Sequence, residues 1–170
     1  MILKGKVWKF GDNISTDLIA PGRLFHLRSQ LTELARHVLE DADPDFASKV
    51  NPGDFVVAGA NFGLGSSREH APIIIKLAGV SAVLAVSFAR IFYRNAINVG
   101  LPVIQCNTSA VKQGDILEVN LAEGMIRNLT GNFSLTFHPL PGIMRTILED
   151  GGLVAHIQKH GDFMIDEFKK

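Results

Sequence analysis

Cysteine is almost absent: Cys106 stands alone in 170 residues. One thiol excludes an internal disulfide framework and any metal site built from several thiolates of this chain. It fits a reducing, cytoplasmic compartment. An excess of one charge is also lacking. Lys+Arg and Asp+Glu each number 17, and the basic residues are scattered apart from the terminal Lys169-Lys170. Nucleic-acid and membrane-surface proteins usually carry a basic excess, so neither partner is expected. No window approaches the roughly 18 apolar residues of a membrane helix. The first ten residues alternate charged and apolar side chains, without the apolar stretch of a secretory leader. The Asn-x-Ser/Thr triplets at Asn13, Asn107, Asn128 and Asn132 are therefore not read as glycosylation sites. Metal-ligand spacing is missing among the six histidines. His156 and His160 stand four apart, but near a charged C-terminus they are read as a solvated pair.

What the chain has in quantity is apolar residues, 46% against 20% charged. That is enough for one globular domain, residues 1–170, with a real core. Residues 2–10 read as a first strand anchored by Val7, Trp8 and Phe10. Residues 11–23 are dense in Asp, Asn, Ser, Thr, Gly and Pro, which bond locally to backbone and resist regular structure. Helical spacing of Leu31, Leu34, Ala35, Val38 and Leu39 predicts an amphipathic helix over 30–40, and one short helical turn is expected around Phe46. Pro52-Gly53-Asp54 marks a turn. The continuous apolar run 55–59 suits a buried central strand. Pro72 is best tolerated in a first helical turn, so a helix begins near residues 69–71. A strand over 80–86 follows, then a helix capped by Ser87-Phe88 and running to about Asn98, then a strand over 101–105. This alternation predicts parallel pairing. Beyond residue 114, Gly-punctuated short runs predict antiparallel hairpins. Helices over 143–150 and 153–159, separated by Gly151-Gly152, and a loosely held charged tail from Asp162 complete the reading. The architecture is mixed α/β, a parallel core with a β-rich lobe packed on it.

The chemistry gathers at two places. Gly63-Leu64-Gly65-Ser66-Ser67-Arg68 lies between strand and helix. Glycines let backbone amides approach a ligand, the helix start presents unpaired N–H groups, and Arg68 adds a planar charged fork suited to a carboxylate. The same serines could instead simply cap the helix. No third glycine and no Gly-Lys-Ser/Thr follow, so this is not a nucleotide fingerprint. Ser66 with His70 lacks the elbow of a serine hydrolase. The early loop holds Asp12, Asn13, Ser15, Thr16, Asp17 and Arg23, which either close turns or orient a hydroxyl or an arginine at a site. Cys106, after an apolar strand, is read as a buried structural thiol.

Residues 61–72, NFGLGSSREHAP, resemble the signature of the small subunits of aconitase-family hydro-lyases. Residues 11–23, GDNISTDLIAPGR, resemble that family's first substrate-side loop. Residues 87–102 and Gly151-Gly152 are similar too, so the likeness covers nearly the whole chain. Leu64 departs from it, standing where many small subunits have Cys. The resemblance implies a three-layer β/β/α swivelling domain. It implies a large partner subunit carrying a 4Fe-4S cluster on three cysteines, with no cofactor bound by this chain. It implies a small di- or tricarboxylate substrate, dehydrated and rehydrated. By motif position Ser66 would be the catalytic base and Asp17 a second catalytic residue, with Thr16, Ser67 and Arg68 holding substrate. Substrate choice in the family is attributed to the segment here spanning 24–29. There Arg28 would read an extra carboxylate, while the apolar neighbours suit an alkyl group. From another functional class, the same turn would serve a stand-alone carboxylate-binding module.

Overall fold

The fold is that of a computed structural model describing residues 1–161. The reading of a charged tail from Asp162 lies outside the described residues. In chain order the elements are β1 (Ile2–Lys9), α1 (Thr16–Ile19), a 3-10 segment (Gly22–Leu27), α2 (Leu31–Ala35), α3 (Phe46–Lys49), β2 (Phe55–Ala58) and α4 (His70–Leu77). There follow β3 (Ala82–Ala85), α5 (Arg90–Val99), β4 (Val103–Gln105), β5 (Ile116–Asn120), β6 (Met125–Asn128), β7 (Phe133–Thr136), α6 (Gly142–Glu149) and α7 (Leu153–His160).

The strands join in one sheet of order β4-β3-β2-β1-β5-β6-β7. The first four are parallel to one another, and β5, β6 and β7 continue antiparallel from β1. The shared strand divides its length: Val7–Lys9 pairs with Phe55–Val57, and Ile2–Lys6 pairs with Ile116–Asn120. At the division, Gly5 lies so close to the turn before β2 that a Cβ would stand 2.0 Å from the Gly53 carbonyl oxygen. Only glycine admits that approach.

The alternation of side chains explains the layers. Val7, Phe55, Val57, Leu84 and Ile104 point to one face and meet Leu117, Val119 and Ile126 of the antiparallel half. Their immediate neighbours Trp8, Val56, Ala58, Val83 and Val103 point the other way, into a core with Ile74, Ile75, Phe92, Ala96 and Ile97 from α4 and α5. A period-two strand buried on both faces has no polar side, hence the unbroken apolar runs of β2 and β3. The result is three layers: antiparallel sheet, parallel sheet, helices.

Most expected elements are present, and three differ. The helix expected over 30–40 stops at Ala35, because Leu39 takes φ +56 and donates its N–H to the Ile19 carbonyl. The early loop contains one helical turn, α1, capped by Ser15 Oγ accepting from Leu18 N–H. Ser87 does not cap α5: its hydroxyl accepts from Asn61 N–H, and α5 starts without a side-chain cap.

Cys106 is buried, and burial pushes its thiol up to about 11 from 9.0. The thiolate reacts and the thiol does not. Iodoacetamide at pH 8 should therefore label the folded chain on the order of a hundredfold more slowly than the unfolded chain. Because the folded state favours the protonated thiol, this contribution to stability is complete below pH 9. It is lost as pH rises through about 11, which urea midpoints across that window will read. Separately, Phe55→Ala should cost about 3–5 kcal/mol in urea unfolding, since its ring fills the space between the two sheet halves.

Candidate active site

The loops after β1, β2 and β3 all leave from the C-terminal ends of parallel strands, where open α/β sheets gather ligands. They stay in register past the strands. Gly63 N–H donates to the Ile14 carbonyl at 2.7 Å, and Thr16 N–H to the Leu64 carbonyl at 2.8 Å. Phe62 N–H donates to the Ser87 carbonyl at 3.0 Å, and Ala89 N–H to the Phe62 carbonyl at 2.9 Å. Two parallel bridges, Ser15 to Leu64 and Phe62 to Phe88, thus carry the sheet one step beyond its named strands. Below the turn, Phe62 packs edge-on against Phe88 and Phe92. Gly63 takes φ +79 and lies so close to Phe92 that a Cβ would stand 2.2 Å from the ring.

The early loop divides into scaffold and site. Asp12 accepts from Ala60 N–H at 2.7 Å, and Asn13 accepts from the Asn61 side-chain amide at 3.1 Å. Ser15 caps α1. Arg23 turns away to Glu40 and Asp41. These four close turns or tie loops together. Thr16 and Asp17 face the other way. The Thr16 hydroxyl stands 3.3 Å from Ser66 Oγ, with Thr16 buried and Ser66 exposed. Asp17 forms an ion pair with Arg68, Oδ1 to guanidinium 2.5 Å. The same guanidinium donates to the Ala20 carbonyl at 3.2 Å.

The serines do not cap the helix. Glu69 occupies the N-cap of α4 without a side-chain hydrogen bond, and Ser66 Oγ is directed to Thr16 instead. Gly65 makes room for this: a Cβ there would stand 3.1 Å from the Thr16 hydroxyl oxygen, at a backbone φ of +109.

Beside the turn opens a cleft of about 540 Å³ lined by Phe25, Arg28, Ser67, Arg68, Glu69, His70, Arg94 and Asn95. Three arginines dominate its charge. Arg28 lies over the Phe25 ring at 4.5 Å and Arg68 approaches the same ring at 5.7 Å, so one exposed aromatic steadies two cations. Burial, with the nearby charges of Arg68 and Arg28, pushes the His70 imidazole below its usual range. His70 is thereby biased toward the neutral form, a hydrogen-bonding group rather than a third fixed charge. Of the residues singled out in the sequence, Thr16, Asp17, Ser66, Ser67, Arg68 and Arg28 therefore gather on one face. Phe25, His70, Arg94 and Asn95 lie within the stretches read from the sequence but are not assigned to the site there. Arg94 and Asn95 lie on α5 and reach the cleft only because α4 and α5 pack side by side.

The thiolate inventory of this face is empty: Cys106 lies in the core between the sheet halves. Among the described residues, one group has the composition of a metal site, Asp150, His156 and His160, and it belongs to α7 and the turn before it. The expectation of a solvated histidine pair is overturned there, since His156 is 1% exposed and bonded to Asp150. The Gly151-Gly152 turn folds α7 back on α6, which the histidine spacing alone does not reveal.

At the C-terminal ends of its parallel strands this α/β domain thus presents hydroxyls and guanidinium groups, chemistry suited to an anionic ligand, and no thiolate. The model of the aconitase C-terminal domain family matches residues 12–108, and the chain belongs to that family. The 3-isopropylmalate dehydratase small subunit 2 of Archaeoglobus fulgidus is 60% identical over 97% of this chain and 100% of its own length. The methanogen homoaconitase small subunit of Methanothermobacter thermautotrophicus is 56% identical over 93% of this chain and 92% of its own. The crystal structure of 3-isopropylmalate dehydratase from Methanocaldococcus jannaschii matches with a TM-score of 0.90 at 48% identity, covering 95% of this chain and 96% of that one.

Replacing Gly63 with alanine should break the turn, because the added carbon overlaps the Phe92 ring at a backbone angle that L-residues resist. A lower thermal midpoint, with far-UV circular dichroism otherwise retained, is the expected readout.

Proposed function

We propose that this chain is the small subunit of a heteromeric hydro-lyase that isomerises 2-isopropylmalate and 3-isopropylmalate by dehydration and rehydration, as in leucine biosynthesis. The observation that carries the reading is the contact of Thr16 with Ser66. It joins the two loops into one surface, with Arg68 and Asp17 paired beside it. Names of relatives nearly as long as this chain agree with it.

In this reading Ser66 Oγ takes the proton from the carbon next to a carboxylate and returns it in the rehydration half. A serine hydroxyl is a weak base, and its alkoxide form needs donors and cations around it. Thr16 supplies a hydroxyl 3.3 Å from Ser66 Oγ, which would donate to the alkoxide once it forms. Arg68 supplies a fixed positive charge and, with Ser67, the fork that holds a substrate carboxylate. Asp17 aims Arg68 and is displaced or shared when the carboxylate arrives. Its side chain is 65% exposed, so its own hold on Arg68 is weak enough to exchange.

Departure of hydroxide needs a Lewis acid, which a 4Fe-4S cluster on a large partner subunit would supply by polarising the substrate hydroxyl. The residues of this chain do not fit such a cluster, because its single thiol is buried away from the cleft. A second reading, action on a tricarboxylate as in a homoaconitase, is favoured by one observation: Arg28 lines the cleft beside Arg68, and a distal carboxylate would meet it.

Reconstitution with the large subunit tests these roles. Ser66→Ala should lower kcat by about 10²–10⁴, and unchanged turnover would remove Ser66 from the reaction. Arg28→Ala should leave kcat/KM for 2-isopropylmalate nearly unchanged. A large loss with homocitrate alone would move the substrate assignment to the tricarboxylate.

A further inference from the structure

We propose that Asp150, His156 and His160 form a binding site for a divalent transition-metal ion of the zinc or nickel type, which fastens α7 to the end of α6. The site is remote in sequence from the catalytic turn and owes nothing to the function proposed above. His156 and His160 are four residues apart on α7, hence on one face of the helix. Asp150 is the C-cap of α6. The intervening Gly151 and Gly152 both take positive φ, +90 and +127, which returns α7 over the carboxylate.

Both imidazoles converge on a single oxygen. His156 Nδ1 and His160 Nε2 each stand 2.8 Å from Asp150 Oδ2. One ligand atom from each of the three residues lies within 4.8 Å of the others. Metal–nitrogen and metal–oxygen bonds of about 2.0–2.2 Å put tetrahedral ligand atoms roughly 3.3 Å apart. Opening the two contacts by about half an ångström therefore admits an ion. Imidazole and carboxylate together suit zinc or nickel. The nitrogen of His156 not facing Asp150, Nε2, is buried and has no hydrogen-bond partner among the described residues, so the ring is oriented by Nδ1 alone.

The occupied state has a competitor built in. Lys159 Nζ stands 2.6 Å from Asp150 Oδ1 and its side chain is 65% exposed. It neutralises the carboxylate in the metal-free chain and can swing to solvent when a cation arrives. The His160 side chain is 35% exposed, which gives the ion its route in.

The test uses the full untagged 170-residue chain, stripped with chelator and titrated with Zn²⁺ or Ni²⁺ against a chromophoric competitor. One ion per chain is expected, with a higher thermal midpoint in its presence. His160→Ala should weaken binding at least tenfold while far-UV circular dichroism stays unchanged, since His160 ends α7 at the surface. Lys159→Ala should tighten binding severalfold. Absence of one-to-one binding, or equal affinity in the wild type and His160→Ala, would overturn the proposal and leave a hydrogen-bonded clamp. Asp150→Asn serves as the second variant, with loss of binding expected and retained binding counting against the site.

Discussion

The face proposed for catalysis depends on the continuation of parallel hydrogen bonding beyond the strands. Gly63 to Ile14, Thr16 to Leu64, Phe62 to Ser87 and Ala89 to Phe62 form a short ladder among three loops. Each donor and acceptor in it would otherwise be an unpaired backbone group close to the core. The ladder satisfies them and also fixes the relative height of residues 16 and 66, far apart in sequence. A side-chain hydroxyl contact of 3.3 Å cannot hold two loops in register by itself. The backbone ladder does so, and the Thr16–Ser66 contact is its consequence.

From that ladder the electrostatics follow. One guanidinium nitrogen of Arg68, Nη1, meets both the Asp17 carboxylate and the Ala20 carbonyl, and the guanidinium lies 5.7 Å from the Phe25 ring centroid. A guanidinium with three such neighbours loses little freedom when an anion docks, so its fork is already oriented. Its ion-pair partner is mostly exposed, which limits the worth of that pair to the small range of surface salt bridges. Arg68 is therefore oriented without being saturated. Burial within the same cationic group keeps His70 below its usual range, which avoids adding to the repulsion among Arg28, Arg68 and Arg94.

How much of this was readable from residues alone varied with the range of the interaction involved. Strands β1, β2 and β3 were legible because local alternation or continuous apolar runs record burial directly. The turn at residues 63–68 was legible as a polar cluster between strand and helix, but two meanings were open. Helix capping and hydroxyl pairing use the same serines, and only the position of Thr16 separates them. The early loop was harder. Asp12, Asn13 and Thr16 are similar side chains in one loop, yet two of them tie loops together and one reaches the site. That division depends on β2 lying beside β1, a pairing of residues 48 positions apart. His156 was misjudged for the same reason: neither its period nor its neighbours records the fold-back at Gly151-Gly152. Helix length over 30–40 failed because Leu39 donates to Ile19, a tertiary bond that outweighs helical propensity.

The exposure of the serines bears on how the site must be completed. Ser66 and Ser67 are solvent-exposed on this chain, and the cleft beside them is open. In water a serine alkoxide is far too costly to serve as a base, whatever guanidinium lies nearby, because high dielectric weakens each attraction that would stabilise it. The donors gathered by Thr16 and Arg68 gain their full strength only when water is excluded. Nothing among the described residues covers the turn, and the helices lie behind it, packed into the core. On the proposed reading, the surface that excludes water is the large subunit. The proposed base and the proposed Lewis acid would then face each other across a subunit boundary, and closing that boundary would bring the reactive groups together and dry them in a single step.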